Sequence, residues 1–100
     1  MNSNIYSKFK PLRIVPVYLK AREEMDSGFL IIMNEEMEIF YFNSSAKAML
    51  NKIIDTTLTV NALFAYFLLE YEVDKQILKK DIMHFIRDLQ WKKIISLQAA

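Results

Sequence analysis

The pattern of apolar and polar positions changes period at Asn43. Before it the chain reads as strands. Val17 to Arg22 is extended in character, and the polar stretch from Glu23 to Asp26 and Ser27 ends in Gly28, the only glycine, which accepts a positive φ without steric cost. Phe29 to Met33 is a short apolar run rich in strand formers, Asn34-Glu35-Glu36 is the next turn, and Met37 to Phe42 follows. Three strands with short connections predict an antiparallel meander. Alternation along the third puts Met37, Ile39 and Tyr41 on one face and Glu38, Phe40 and Phe42 on the other, so both faces carry apolar groups. One face must meet the helices. The other needs a cover, for which the candidates are the N-terminal arm, a second copy of the chain, or a partner.

After Asn43 the spacing turns helical. Asn43 or Ser44 can accept the free amide hydrogens of a helix start, and Ala46, Met49, Leu50 and Ile53 follow at steps of three and four. Thr59 caps a second helix with the stripe Val60, Leu63, Phe64, Phe67, Leu68 and Tyr71. Asp74 caps a third, whose core stripe is Leu78, Ile82, Phe85, Ile86 and Leu89, all within about 100° of arc. Opposite lie Lys80, His84, Arg87 and Trp91, with Trp91 expected to fold back on the core. One flank carries Lys79, Met83 and Gln90 beside Ile86, and the other carries Asp81 and Asp88. Residues 1–15 have neither period and read as a loosely held arm, residues 16–95 as the domain, and residues 96–100 as a tail.

Composition narrows the function. With 100 residues, 53% of them hydrophobic, the chain must spend most of its apolar side chains on one core. Thirteen Lys plus Arg against 12 Asp plus Glu leave a formal charge of +1, without the basic excess of a nucleic-acid or anionic-membrane binder. Cys is absent and His84 stands alone, which removes thiolate chemistry and gives no metal-ligand spacing. No Gly-rich phosphate loop, nucleophile elbow or acid/base pair occurs, so no catalytic residue, cofactor or metal site is assigned and an enzyme is not expected. No signal peptide and no membrane-length apolar run is visible, and a cytoplasmic protein is expected.

The order of parts resembles a known family. Phe42-Asn43-Ser44-Ser45-Ala46, then Ile54-Asp55-Thr56-Thr57-Leu58-Thr59-Val60, then Leu69-Glu70-Tyr71, then Asp81-Ile82 through Leu89 to Ile94-Ile95 are similar to the pattern of the PqqD family. This is the small protein D of pyrroloquinoline quinone (PQQ) biosynthesis and its relatives, also called RiPP recognition elements, where RiPP denotes a ribosomally made, post-translationally modified peptide. Thr56 stands where the family usually has Gly, and Trp91-Lys92-Lys93 occupies a stretch where it tends to place another, so the third helix can simply run on.

The resemblance implies an α+β, winged-helix-like domain, a three-stranded antiparallel β-meander followed by three helices. It further implies a non-catalytic chaperone that binds the leader of a precursor peptide by strand addition and presents it to a modifying enzyme, often a radical SAM maturase. Carried onto this chain, the peptide site takes Met37, Glu38, Ile39, Phe40, Tyr41 and Phe42 from the third strand. From the third helix the favoured flank is Lys79, Met83, Ile86 and Gln90, because a flexible Met beside a cation suits a peptide of alternating apolar and acidic residues. Two rival readings stand beside it. A winged-helix DNA reader wants several basic or amide residues on one exposed helix face, whereas here Lys80 and Arg87 are balanced by Asp81 and Asp88. A structural subunit would form a homodimer through the doubly apolar sheet and steady a partner enzyme.

Overall fold

A computed structural model of the chain describes residues 3–18, 20–56 and 58–99, with side chains from Tyr6 onward. Met1, Asn2, Leu19, Thr57 and Ala100, on which parts of the expected arm, first strand, turn motif and tail fall, lie outside the described residues. The predicted meander is present as β2 (Lys20–Glu23), β3 (Leu30–Met33) and β4 (Ile39–Phe42), antiparallel in the order β2-β3-β4. Gly28 takes φ 74°, and Glu24 N–H donates to Phe29 O at 2.8 Å to close the first turn. In the second turn Met37 N–H donates to Asn34 O at 3.0 Å and Met37 itself adopts φ 63°. This left-handed residue after a tight turn takes Met37 out of the strand, so β4 is shorter than its apolar run.

The three predicted helices form where their caps place them. Asn43 Oδ1 accepts from Ala46 N–H at 3.1 Å to start α2 (Ser44–Asp55), and Thr59 Oγ1 accepts from Ala62 N–H at 3.1 Å to start α3 (Val60–Glu70). Asp74 Oδ1 accepts from Gln76 and Ile77 N–H to start α4 (Lys75–Trp91). Thr56 is extended at φ −138°, a conformation open to any residue, so no glycine is required there. The third helix does not run on. Lys93 adopts φ 59°, its N–H donates to Gln90 O, and Ile94 N–H donates to Leu89 O, which is the Schellman arrangement that ends a helix. Among the described residues no helix is long and apolar enough to cross a membrane.

The largest departure from expectation is the arm. Ser3–Phe9 forms α1 and Arg13–Pro16 forms β1, which pairs antiparallel with β5 (Leu58–Thr59) on one side and β6 (Ile95–Gln98) on the other. Arm and tail therefore make a second three-stranded sheet in the order β5-β1-β6. Tyr6 and Ile14 are buried, and the Tyr6 ring meets Phe64 edge-on at 5.7 Å between centroids. Periodicity could not reveal β1, because a four-residue strand ending in Pro16 offers too few alternations. A single core joins Ile14, Leu30, Ile32 and Phe42 from the sheets to Leu50, Ile53, Leu63, Ile82, Met83 and Ile86 from the helices. The α+β class with antiparallel sheets and helices stands.

Candidate functional site

The outer edge of β4 is unpaired among the described residues. Which main-chain groups it offers follows from the hairpin. Asn34 N–H donates to Glu38 O at 3.0 Å, so the pair Asn34 and Glu38 is a hydrogen-bonded one. Pairs alternate along an antiparallel ladder, and the register matches Met33 with Ile39, Ile32 with Phe40, Ile31 with Tyr41 and Leu30 with Phe42. Phe40 and Phe42 therefore turn their N–H and C=O groups toward β3. Those of Ile39 and Tyr41 face outward, where a further strand would bond.

Side chains divide the other way. Phe40 and Phe42 face the helices, Phe42 buried and Phe40 half-buried, while Ile39 and Tyr41 are exposed on the opposite face. Beneath Phe42 runs one flank of α4. Phe85 meets the Phe42 ring edge-on at 6.5 Å, and Lys92 Nζ lies 5.4 Å from the Phe40 centroid and 5.2 Å from that of Phe42. Lys92 also bonds Asp88 at 2.8 Å, so the cation sits between a carboxylate and two rings. A concavity of about 440 Å³ opens along this flank, lined by Lys80, Asp81, His84, Phe85 and Asp88. Phe85 belongs both to that lining and to the contact with β4, which sets strand edge and concavity side by side.

The helix flank favoured from sequence is largely drawn into the fold. Met83 and Ile86 have no exposed surface and belong to the core. Lys79 lies over Tyr6 at 5.1 Å and Phe64 at 5.8 Å, on the side of α4 that α1 and α3 cover, and Gln90 is half-buried. At about 100° per residue, Lys79, Met83, Ile86 and Gln90 point roughly opposite to Asp81, Phe85, Asp88 and Lys92. Met83 joins the core instead, while Phe85, expected in the core stripe, is half-buried at the margin beside β4. Trp91, expected to fold back, is 85% exposed, and His84 is exposed as expected.

Two links hold the β3–β4 turn against the end of α4. Asn34 is wholly buried, yet every polar atom of its side chain is engaged. Its Nδ2 donates to Glu38 Oε1 at 2.9 Å and to Lys92 O at 2.8 Å, and its Oδ1 accepts from the N–H groups of Glu36 and Glu38, both at 3.0 Å. Lys93 pairs with Glu36, and the hydrogen bond and charge of Glu36 raise the Lys93 pKa above its ordinary 10.5. Sequence reasoning read Asn34 only as a turn former, and nothing in its spacing announces the distant Lys92 carbonyl. Of the predicted strand residues, Ile39 to Phe42 form β4, while Met37 and Glu38 belong to the turn, where Glu38 serves Asn34.

The class so defined is a small α+β domain with an open sheet edge beside its longest helix. Residues 30–95 match the model of the family described as coenzyme PQQ synthesis protein D (PqqD), and the chain belongs to that family. Membership supports a role in the biosynthesis of PQQ or of other ribosomally made, modified peptides. Comparison with curated proteins and with solved structures finds no match.

Proposed function

We propose that the chain is a non-catalytic, cytoplasmic peptide chaperone. It takes the leader of a precursor peptide as a fourth strand on the outer edge of β4 and presents it to a modifying enzyme, by family resemblance a radical SAM maturase. The observation that carries this reading is the unpaired β4 edge, with the main-chain groups of Ile39 and Tyr41 outward beside the concavity of α4. Main-chain pairing supplies affinity whatever the sequence added, and side-chain pockets supply choice. An apolar leader residue would sit against the half-buried Phe85 of the concavity, with the charged groups of Lys80, Asp81 and Asp88 around it.

A micromolar complex needs only about 8 kcal/mol net, within reach of a short added strand with two or three filled pockets. The test is to titrate the leader encoded by a short reading frame neighbouring the gene against the labelled chain and its Ile39→Pro variant. Because the Ile39 N–H faces away from β3, proline there spares the β3–β4 ladder and removes one donor from the edge. The expected result is an intact fold with affinity weakened about tenfold, near the upper value of one lost hydrogen bond. Unchanged affinity in a folded variant overturns the assignment of the edge.

A further inference from the structure

The opposite face of the same meander carries a second site, and we propose that it docks an acidic amphipathic helix of a partner protein. The register places Lys20 and Arg22 of β2, Ile31 and Met33 of β3, and Ile39 and Tyr41 of β4 on this outer face. With Ala21 they line a cavity of about 440 Å³. Among the described residues these alone line it; Ile31 at its floor is nearly buried and Met33 half-buried, while Ile39 and Tyr41 are exposed. The arm, one candidate for its cover, is committed to α1 against Phe64 and to β1 in the other sheet.

Charge and width choose the occupant. Among the described residues neither Lys20 nor Arg22 has an ion pair, while Glu23 of the same strand points to the other face and bonds Lys47, and Glu36 is held by Lys93. A second copy of this chain would bring the same two cations and no carboxylate on the matching face, so self-association leaves both unpaired. A partner with apolar residues over Ile31, Met33 and Ile39 and carboxylates along the β2 margin satisfies every group. Three strands about 4.8 Å apart span roughly the 10 Å diameter of one helix, and a helix layer is the common cover for an apolar sheet face.

This site does not depend on peptide capture at the β4 edge, since Lys20 and Arg22 lie two strands away from that edge. The probe is a synthetic helical peptide of about 18 residues, five turns, with leucines on one stripe and glutamates beside it, compared with a lysine-flanked counterpart. It is titrated into the full chain and into a Lys20→Glu/Arg22→Glu variant by NMR. The glutamate peptide is expected to move the signals of Ile31, Met33, Ile39 and Tyr41, to bind about tenfold less tightly to the variant, and to weaken between about 0.05 and 0.5 M salt. The lysine peptide should show the reverse preference. Leader binding at the β4 edge should be the same in both proteins, which separates failure of this site from failure of the other. Equal binding of the two peptides, shifts confined to Phe42 and Phe85, preferential adsorption of the chain to anionic vesicles, or a free protein already dimeric through this face would each overturn the proposal.

Discussion

Asn34 is the one buried polar residue among the described residues. A buried amide is tolerable only when its donors and acceptors are met, and here three bonds close the turn while a fourth, to Lys92 O, joins it to a helix terminus 58 residues away. Asn34→Ala would leave the N–H groups of Glu36 and Glu38 and the carbonyl of Lys92 without that partner. The expected cost is about 3 kcal/mol, read as a fall in melting temperature of more than about 10 °C by circular dichroism. A shift of a degree or two would mean that water replaces the side chain at no loss. Met37 and Lys93 lie near this clamp, and both hold a left-handed backbone without being glycine. Such residues cost about 1 kcal/mol or more, and the turn and the Schellman end over-determine them.

At the scale of elements, the meander and the three long helices were legible because each has a local signal. Gly28 marks a turn, Asn43, Thr59 and Asp74 have side-chain oxygens that can cap a helix, and the stripe of α4 recurs from Leu78 to Leu89. The rotation of α4 was not legible, since periodicity fixes the width of an apolar face but not what packs on its margins. Met83 and Phe85 lie on opposite borders of the stripe, and what packs around α4 decides which is buried. This yields a discriminating pair of variants. Phe85→Ala should weaken leader binding by about tenfold through loss of an apolar pocket wall, whereas Lys79→Ala should leave it unchanged. Titration of each folded variant checks this, and the opposite ranking would restore the flank chosen from sequence.

On the scale of the whole molecule, the two ends of the chain close the fold. β1 lies between β5 and β6, and Val17 N–H donates to Ile94 O at 2.8 Å, so the arm is bonded to the segment that follows α4. That pairing spans nearly the full length of the chain, and no local pattern can announce it. Tyr6 anchors the other part of the arm, and burial raises its pKa above the ordinary 10.0. Folding thus favours the protonated phenol, and Lys93, whose pKa is raised by Glu36, likewise keeps its proton longer when folded. For both groups the native state binds more protons than the unfolded one once the pH exceeds the unfolded pKa, so stability is full below about pH 10 and falls above it. Melting curves from pH 7 to pH 11 should show that fall, and Tyr6→Phe should lessen it. An equal alkaline loss in the variant would mean that Tyr6 contributes nothing to the linkage.

If β4 leaves the main chain of Ile39 and Tyr41 free to bond a further strand, hydrogen exchange at those two amides will report it. In the free protein they should exchange quickly while Phe40 and Phe42, bonded to β3, stay protected. Saturating leader peptide should slow Ile39 and Tyr41 alone among the residues of β4. Amides at Ile39 and Tyr41 that are already protected in the free protein, or that exchange as fast with the peptide bound, would mean that no strand adds at this edge.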